Sequence, residues 1–166
     1  MASRDSLCIH QHFGRPMLLA ISLLAATAGS VMAAAPVLVA LSVPDVDAAS
    51  RFYTEALDLR LHSELDFPEA QVRVALLKSA DLELELMQIA EARPSPLGPG
   101  ERHRQHGMTK FGVRVESATP LVEKLLGLGA TVRIEPFDDP NSGYRITILA
   151  DPWGNLLQLN EALASH

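Results

Sequence analysis

One order of elements, strand, helix and then three strands, can be written twice along this chain, and few folds accommodate such a duplication. The first copy opens with Val37 to Val43 (VLVALSV), an apolar strand. Pro44 ends it, and Asp45 is a helix N-cap. Val46, Ala49, Phe52, Tyr53, Ala56 and Leu57 then recur at helical spacing and make one apolar face. Strands are expected at Arg60 to Leu65, at Val72 to Leu77 and, after the turn Ser79-Ala80-Asp81, at Leu82 to Met87 (LELELM), which alternates strictly. Ala90 to Gly107 is polar and rich in Pro, Gly and Arg, and reads as a linker or loop.

The second copy starts with the strand Lys110 to Val115. Ser117 is an N-cap, Leu121, Val122, Leu125 and Leu126 form a helical face, and Gly127 and Gly129 end the helix. Thr131 to Ile134 and Tyr144 to Leu149 are strands, with Asp138 to Gly143 a loop between them. Asp151-Pro152-Trp153-Gly154-Asn155 turns the chain tightly into a last strand through Leu156 to Leu159. Leu38 to Val43 overlays Lys110 to Val115, and Leu84-Glu85-Leu86 overlays Leu157-Gln158-Leu159. A unit that cannot bury its own face must pack against its copy. The expected fold is therefore α+β: two βαβββ units, about 37–89 and 108–161, whose curved mixed sheet surrounds a cleft.

Ahead of the first unit, Arg4 and Arg15 precede an apolar run from Met17 to Ala26, and small residues follow. Val31 and Ala33 suit a signal-peptidase site, so residues 1–33 read as a signal peptide cut after Ala33, and 34–166 as the domain. The implied location is the periplasm or outside the cell, with no stable membrane anchor after cleavage. The rival is an uncleaved anchor, because Met17 to Val43 is almost continuously apolar. Cys8, the single cysteine, falls in the removed segment, so the mature chain has no thiol chemistry. A formal net charge of −6 argues against nucleic acid as a partner.

Pro44-Asp45 followed by Phe52-Tyr53, the LELEL strand and Asp151-Pro152-x-Gly154-Asn155 together resemble the vicinal oxygen chelate superfamily, that is, the glyoxalase, bleomycin resistance protein and dioxygenase family. The resemblance covers about Val37 to Glu161. Many members hold a divalent metal through four side chains on four inner strands. Those positions fall here on Leu38, Glu85, Lys110 and Gln158. Leu38 has no donor atom and a protonated Lys110 repels a cation, so the resemblance implies the cleft but neither a metal nor another cofactor.

Strand alternation puts Glu83, Glu85, Met87, Lys110, Arg114, Gln158 and Asn160 on the cleft side, with Leu38 and Leu156 between them. A buried charge needs a partner, so an ion pair between Glu85 and Lys110 is expected where the metal would be. Lys110, Arg114 and Gln158, with Glu83, Leu38 and Met87, are the candidates to hold a small anionic or carbonyl-bearing molecule. Glu85 is the candidate proton carrier. His62, His103 and His106 are expected at an edge or in solvated loop, Trp153 packed locally, and Asp66, Asp138 and Asp139 as loop charges. Three functions stay open: a metal-independent binding protein, a metal-dependent lyase, epimerase or dioxygenase with an altered ligand set, and a non-enzymatic module that forms a homodimer.

Overall fold

The computed structural model describes residues 36–98, 101, 104 and 106–164. The expected signal peptide and His103 lie outside the described residues. Elements run β1 (Val37–Ser42), α1 (Val46–Leu57), β2 (Arg60–Phe67), β3 (Val72–Lys78), β4 (Leu82–Ile89), β5 (Phe111–Val115), α2 (Ala118–Gly127), β6 (Thr131–Asp139), β7 (Tyr144–Ala150) and β8 (Leu156–Ala162). The order strand, helix, three strands thus occurs twice, and the α+β class stands. Each copy is its own four-stranded mixed sheet, ordered β1-β4-β3-β2 and β5-β8-β7-β6. In each, the first strand runs parallel to the fourth and the remaining pairs are antiparallel. The curved sheet expected from the repeat is realised as these two sheets, with no strand ladder between them.

Alternation decides which side of each strand is buried. Leu41, Leu84, Leu86, Ala75 and Leu77 lie on the buried side of the first sheet and Phe111, Leu149, Leu157 and Leu159 on that of the second, and all share one core with Val43. Strand β6 runs to Asp139, beyond the expected end at Ile134, through register shifts on either side of Ile134. Asp138 is consequently a strand residue, whose carboxylate accepts two hydrogen bonds from Arg145. Asp66 likewise belongs to β2 rather than to a loop. Neither could be read locally, because acidic residues are weak strand formers and only cross-strand pairing holds them there.

Asp45 caps α1 as its position suggested, its Oδ1 accepting from Ala48 N at 2.9 Å. Ser117 occupies the N-cap of α2, but its side chain makes no capping bond. Glu161 Oε2, at the end of β8, accepts from Ala118 N at 2.7 Å instead. At the equivalent repeat position in β4, Gln88 Oε1 accepts from Val46 N at 3.0 Å. Each unit therefore ends its last strand by satisfying the first free N–H of its own helix, a group that otherwise has no intrahelical acceptor.

The halves meet at the turn after β7. Asp151 is 6% exposed, and its carboxylate accepts four hydrogen bonds. Oδ1 takes Trp153 N at 2.9 Å and Asn155 N at 2.7 Å, which folds the turn. Oδ2 takes Asn155 Nδ2 at 2.8 Å and, from the other half, the Tyr53 hydroxyl at 2.7 Å. Gly154 sits at φ +86°, where a side chain would be strained. Trp153 meets Phe52 edge-on at 5.7 Å, so it packs on the opposite half rather than locally. Tyr53 tilts against Phe111 at 6.4 Å. Burial, and then the Asp151 charge, push the Tyr53 hydroxyl well above the ordinary phenol range.

Replacing Asp151 by Ala leaves these buried donors unpaired, at about 1–3 kcal/mol each. Urea unfolding of Asp151→Ala is expected to lose about 3 kcal/mol or more. Tyr53 carries a pH signature as well. Below about pH 10 folded and unfolded chains both keep the phenol proton, so its contribution is constant. Above that only the unfolded chain ionises, and stability falls by up to about 1.4 kcal/mol per pH unit. Tyr53→Phe is expected to remove that part of the alkaline slope. For the helix cap, Glu161→Ala should cost about 1 kcal/mol and Ser117→Ala under about 0.5, read by the same denaturation curves.

Candidate functional site

The residue rows across each sheet locate the expected site residues. On the open face of the first sheet Leu38 neighbours Glu83, which neighbours Lys78. Glu83 is not free for a ligand, because Lys78 Nζ stands 2.9 Å from its carboxylate. In the next row Ala40, Glu85, Leu76 and Ser63 lie side by side. Glu85 is half-buried and has no hydrogen bond or ion pair with any described residue. Beyond it come Ser42, Met87, Val74 and Leu65. Leu38 is 55% exposed, a poor place for an apolar side chain unless something covers it.

On the open face of the second sheet Gly112, Gln158, Ile148 and Ile134 form one row, and Arg114, Asn160, Ile146 and Phe137 the next. Gln158 Nε2 donates to Asn160 Oδ1 at 2.6 Å, and Asn160 Nδ2 donates to the Val113 carbonyl at 3.3 Å. Gly112 makes room for this pair, since a Cβ there would stand 3.1 Å from Asn160 Nδ2. Arg114 lies 5.8 Å above the Tyr144 ring and has no acidic partner among the described residues. Tyr144 therefore shares the open face, which alternation alone had left undecided.

The expected ion pair between Glu85 and Lys110 is absent: both side chains are described, and neither pairs with the other. Lys110 precedes β5 and is exposed, so water solvates its ammonium and no counter-charge is required. It lines a cavity of about 950 Å³ between the halves, framed by residues 40–44, 92–96, 108–111 and 152–156. Of the expected cleft residues this cavity takes Lys110 and Leu156, while Glu83, Glu85, Met87, Arg114, Gln158 and Leu38 stand outside its wall. The sequence pointed to Lys110 but not to Arg93 or Thr109, which line the same cavity. Arg93 lay in what read as plain linker, and only the meeting of the linker with β1 and β5 gives it a place. His62 and His106 are exposed and do not line the cavity.

The four positions that would carry a metal do not form a donor set. Leu38 offers no lone pair, Lys110 is a cation, and among the described residues no three of His, Cys, Asp and Glu are grouped to share an ion.

The family model for the Glyoxalase/Bleomycin resistance protein/Dioxygenase superfamily matches residues 36–159, and the chain belongs to that family. A glyoxalase family protein from Bacillus cereus has the same fold, with a TM-score of 0.66 at 20% identity, over 84% of this chain and 100% of that one. The glyoxalase family protein from Enterococcus faecalis gives a TM-score of 0.62 at 25% identity, over 76% of this chain and 94% of that one. Glyoxalase I from Zea mays gives 0.61 at 20% identity, over 77% of this chain but 44% of its own. This chain thus spans less than half of the maize enzyme. No curated protein matches it.

Because no pair joins Glu85 to Lys110, a double-mutant cycle of Glu85→Gln and Lys110→Met in urea unfolding should give a coupling energy within about 0.5 kcal/mol of zero.

Proposed function

We propose that this chain is an exported, metal-independent member of the superfamily that binds a small polar or anionic molecule. One observation carries the proposal: where many members place metal ligands, this chain has Leu38, Glu85, Lys110 and Gln158, and the two charged residues among them have no partner among the described residues. A cation and a carboxylate that are not spent on each other are available to a ligand. Lys110 supplies positive charge at the cavity between the halves, and Arg114, Gln158, Leu38 and Met87, outside its wall, are the proposed contacts on the open sheet faces, where Glu83 is held by Lys78. Glu85 is the group able to accept a hydrogen bond or a proton. Export rests on the N-terminal pattern of Arg15, the apolar run from Met17 and the small residues up to Ala33.

A second copy of the chain is the proposed partner. Leu65 and Phe67 on β2, and Ile134 and Phe137 on β6, are exposed at the outer edges of the two sheets. Apolar edge strands of this kind invite pairing.

Elemental analysis of protein purified without an affinity tag should find no stoichiometric divalent ion; one ion per chain would sink metal independence. A melting-temperature screen against small metabolites should find at least one stabiliser, since a ligand at 100 times its Kd adds about 2.7 kcal/mol. A screen with no hit would leave only a structural module. Sedimentation should show a dimer, and N-terminal sequencing of exported protein should begin at Ala34.

A further inference from the structure

The cavity between the halves carries charge of one sign. Arg93 and Lys110 both line it, and among the described residues no Asp or Glu does. Lys110 has no hydrogen-bond or ion-pair partner among the described residues. Arg93 Nη1 donates to the Ala90 and Ala92 carbonyls at 3.2 and 3.0 Å, which holds the guanidinium against its own backbone and leaves Nε and Nη2 unspent. The chain as a whole is acidic, at −6. At physiological salt, however, charges are screened beyond about 8 Å, so a bound molecule feels these two cations more than the distant surface acids. The wall also presents apolar side chains that keep free surface, Ile89, Met108, Trp153 and Leu156. At about 950 Å³ the space suits a small organic molecule, for which sites of about 300–1,000 Å³ are usual.

We infer that this cavity binds a small amphipathic carboxylate, its anionic head at Lys110 and Arg93 and its aromatic or alkyl body against Met108, Trp153 and Leu156. This rests on the small-molecule reading above, and it names both the chemical class and the place. Cations alone would suit any anion, and an apolar wall alone any hydrophobe. The two together select a molecule with one charged end. A guanidinium with two unspent donors suits a carboxylate fork, whereas an ammonium adds a point charge. Occupancy also braces the junction, because Trp153 touches Phe52 of the other half.

Trp153 is the only tryptophan in the chain, so its emission reports on this wall alone. The full chain is titrated with phenylacetate, octanoate, phenylacetamide and inorganic phosphate. At least one of the two carboxylates should change the emission saturably, with the neutral amide and phosphate at least about tenfold weaker. A lost charge-assisted hydrogen bond is worth about that factor or more. Lys110→Met should raise the Kd of the carboxylate about tenfold without changing the melting temperature of the free protein. Equal binding of phenylacetamide, equal binding of phosphate, or an unchanged Kd in Lys110→Met overturns the amphipathic carboxylate and leaves small-molecule binding standing. Silence from both carboxylates, with hits among other compounds in the melting screen, has the same meaning. Silence in both experiments removes both proposals.

Discussion

The hydrogen bond from Tyr53 to the buried Asp151 carboxylate is the constraint on which the arrangement of the two halves depends. A carboxylate in a water-poor environment is tolerated only when its lone pairs are filled. Three of its four donors come from its own turn, so the turn folds around the charge. The fourth comes from a helix a hundred residues earlier, and it ties that helix to the turn. No strand ladder crosses between the sheets, so the shared core and this bond carry the junction. The cavity exists because the hairpin is held there, beside the end of β1 and the start of β5.

The duplicated unit is symmetric in its folding devices and asymmetric in its chemistry. Gln88 and Glu161 do the same work at equivalent places, each capping the helix of its own unit. The junction is not repeated: Leu125 stands in α2 where α1 has Tyr53, and Lys78 where the second copy has Asp151. A hydroxyl–carboxylate bond is thus available in one direction only. The open faces diverge as well. Glu85 on one sheet is unpaired between Ala40 and Leu76, whereas Gln158 on the other is tied to Asn160. A carboxylate with no partner among the described residues and a tethered amide thus stand at equivalent positions.

How much of this could be read in advance differs from residue to residue. Helices α1 and α2 and strands β4 and β8 were legible because apolar periodicity is local and strong there. The outer strands β2 and β6 were read short, since Asp66, Asp138 and Asp139 disfavour strands and are held by partners on the neighbouring strand. The caps from Gln88 and Glu161 left a faint signal: a polar residue on the apolar parity of a strand, twice, at one repeat position. Lys110 could be singled out because the family resemblance puts a ligand position on it. Arg93 could not, because a linker has no periodicity from which to infer a direction.

The sequence by itself determined the α+β class, the two βαβββ units, the turn at Asp151 and the chemistry at the four ligand positions. The first three follow from residue type and short-range spacing, and the four positions are those the family resemblance implies. Only the tertiary structure decided that Glu85 and Lys110 stay apart and that Asp151 reaches across to Tyr53. It also decided that Lys110 shares with Arg93 a cavity that no described Asp or Glu lines, rather than a cleft with Glu85. Those are relations between segments far apart in the chain, and packing of the two units around one core sets them where no local preference can.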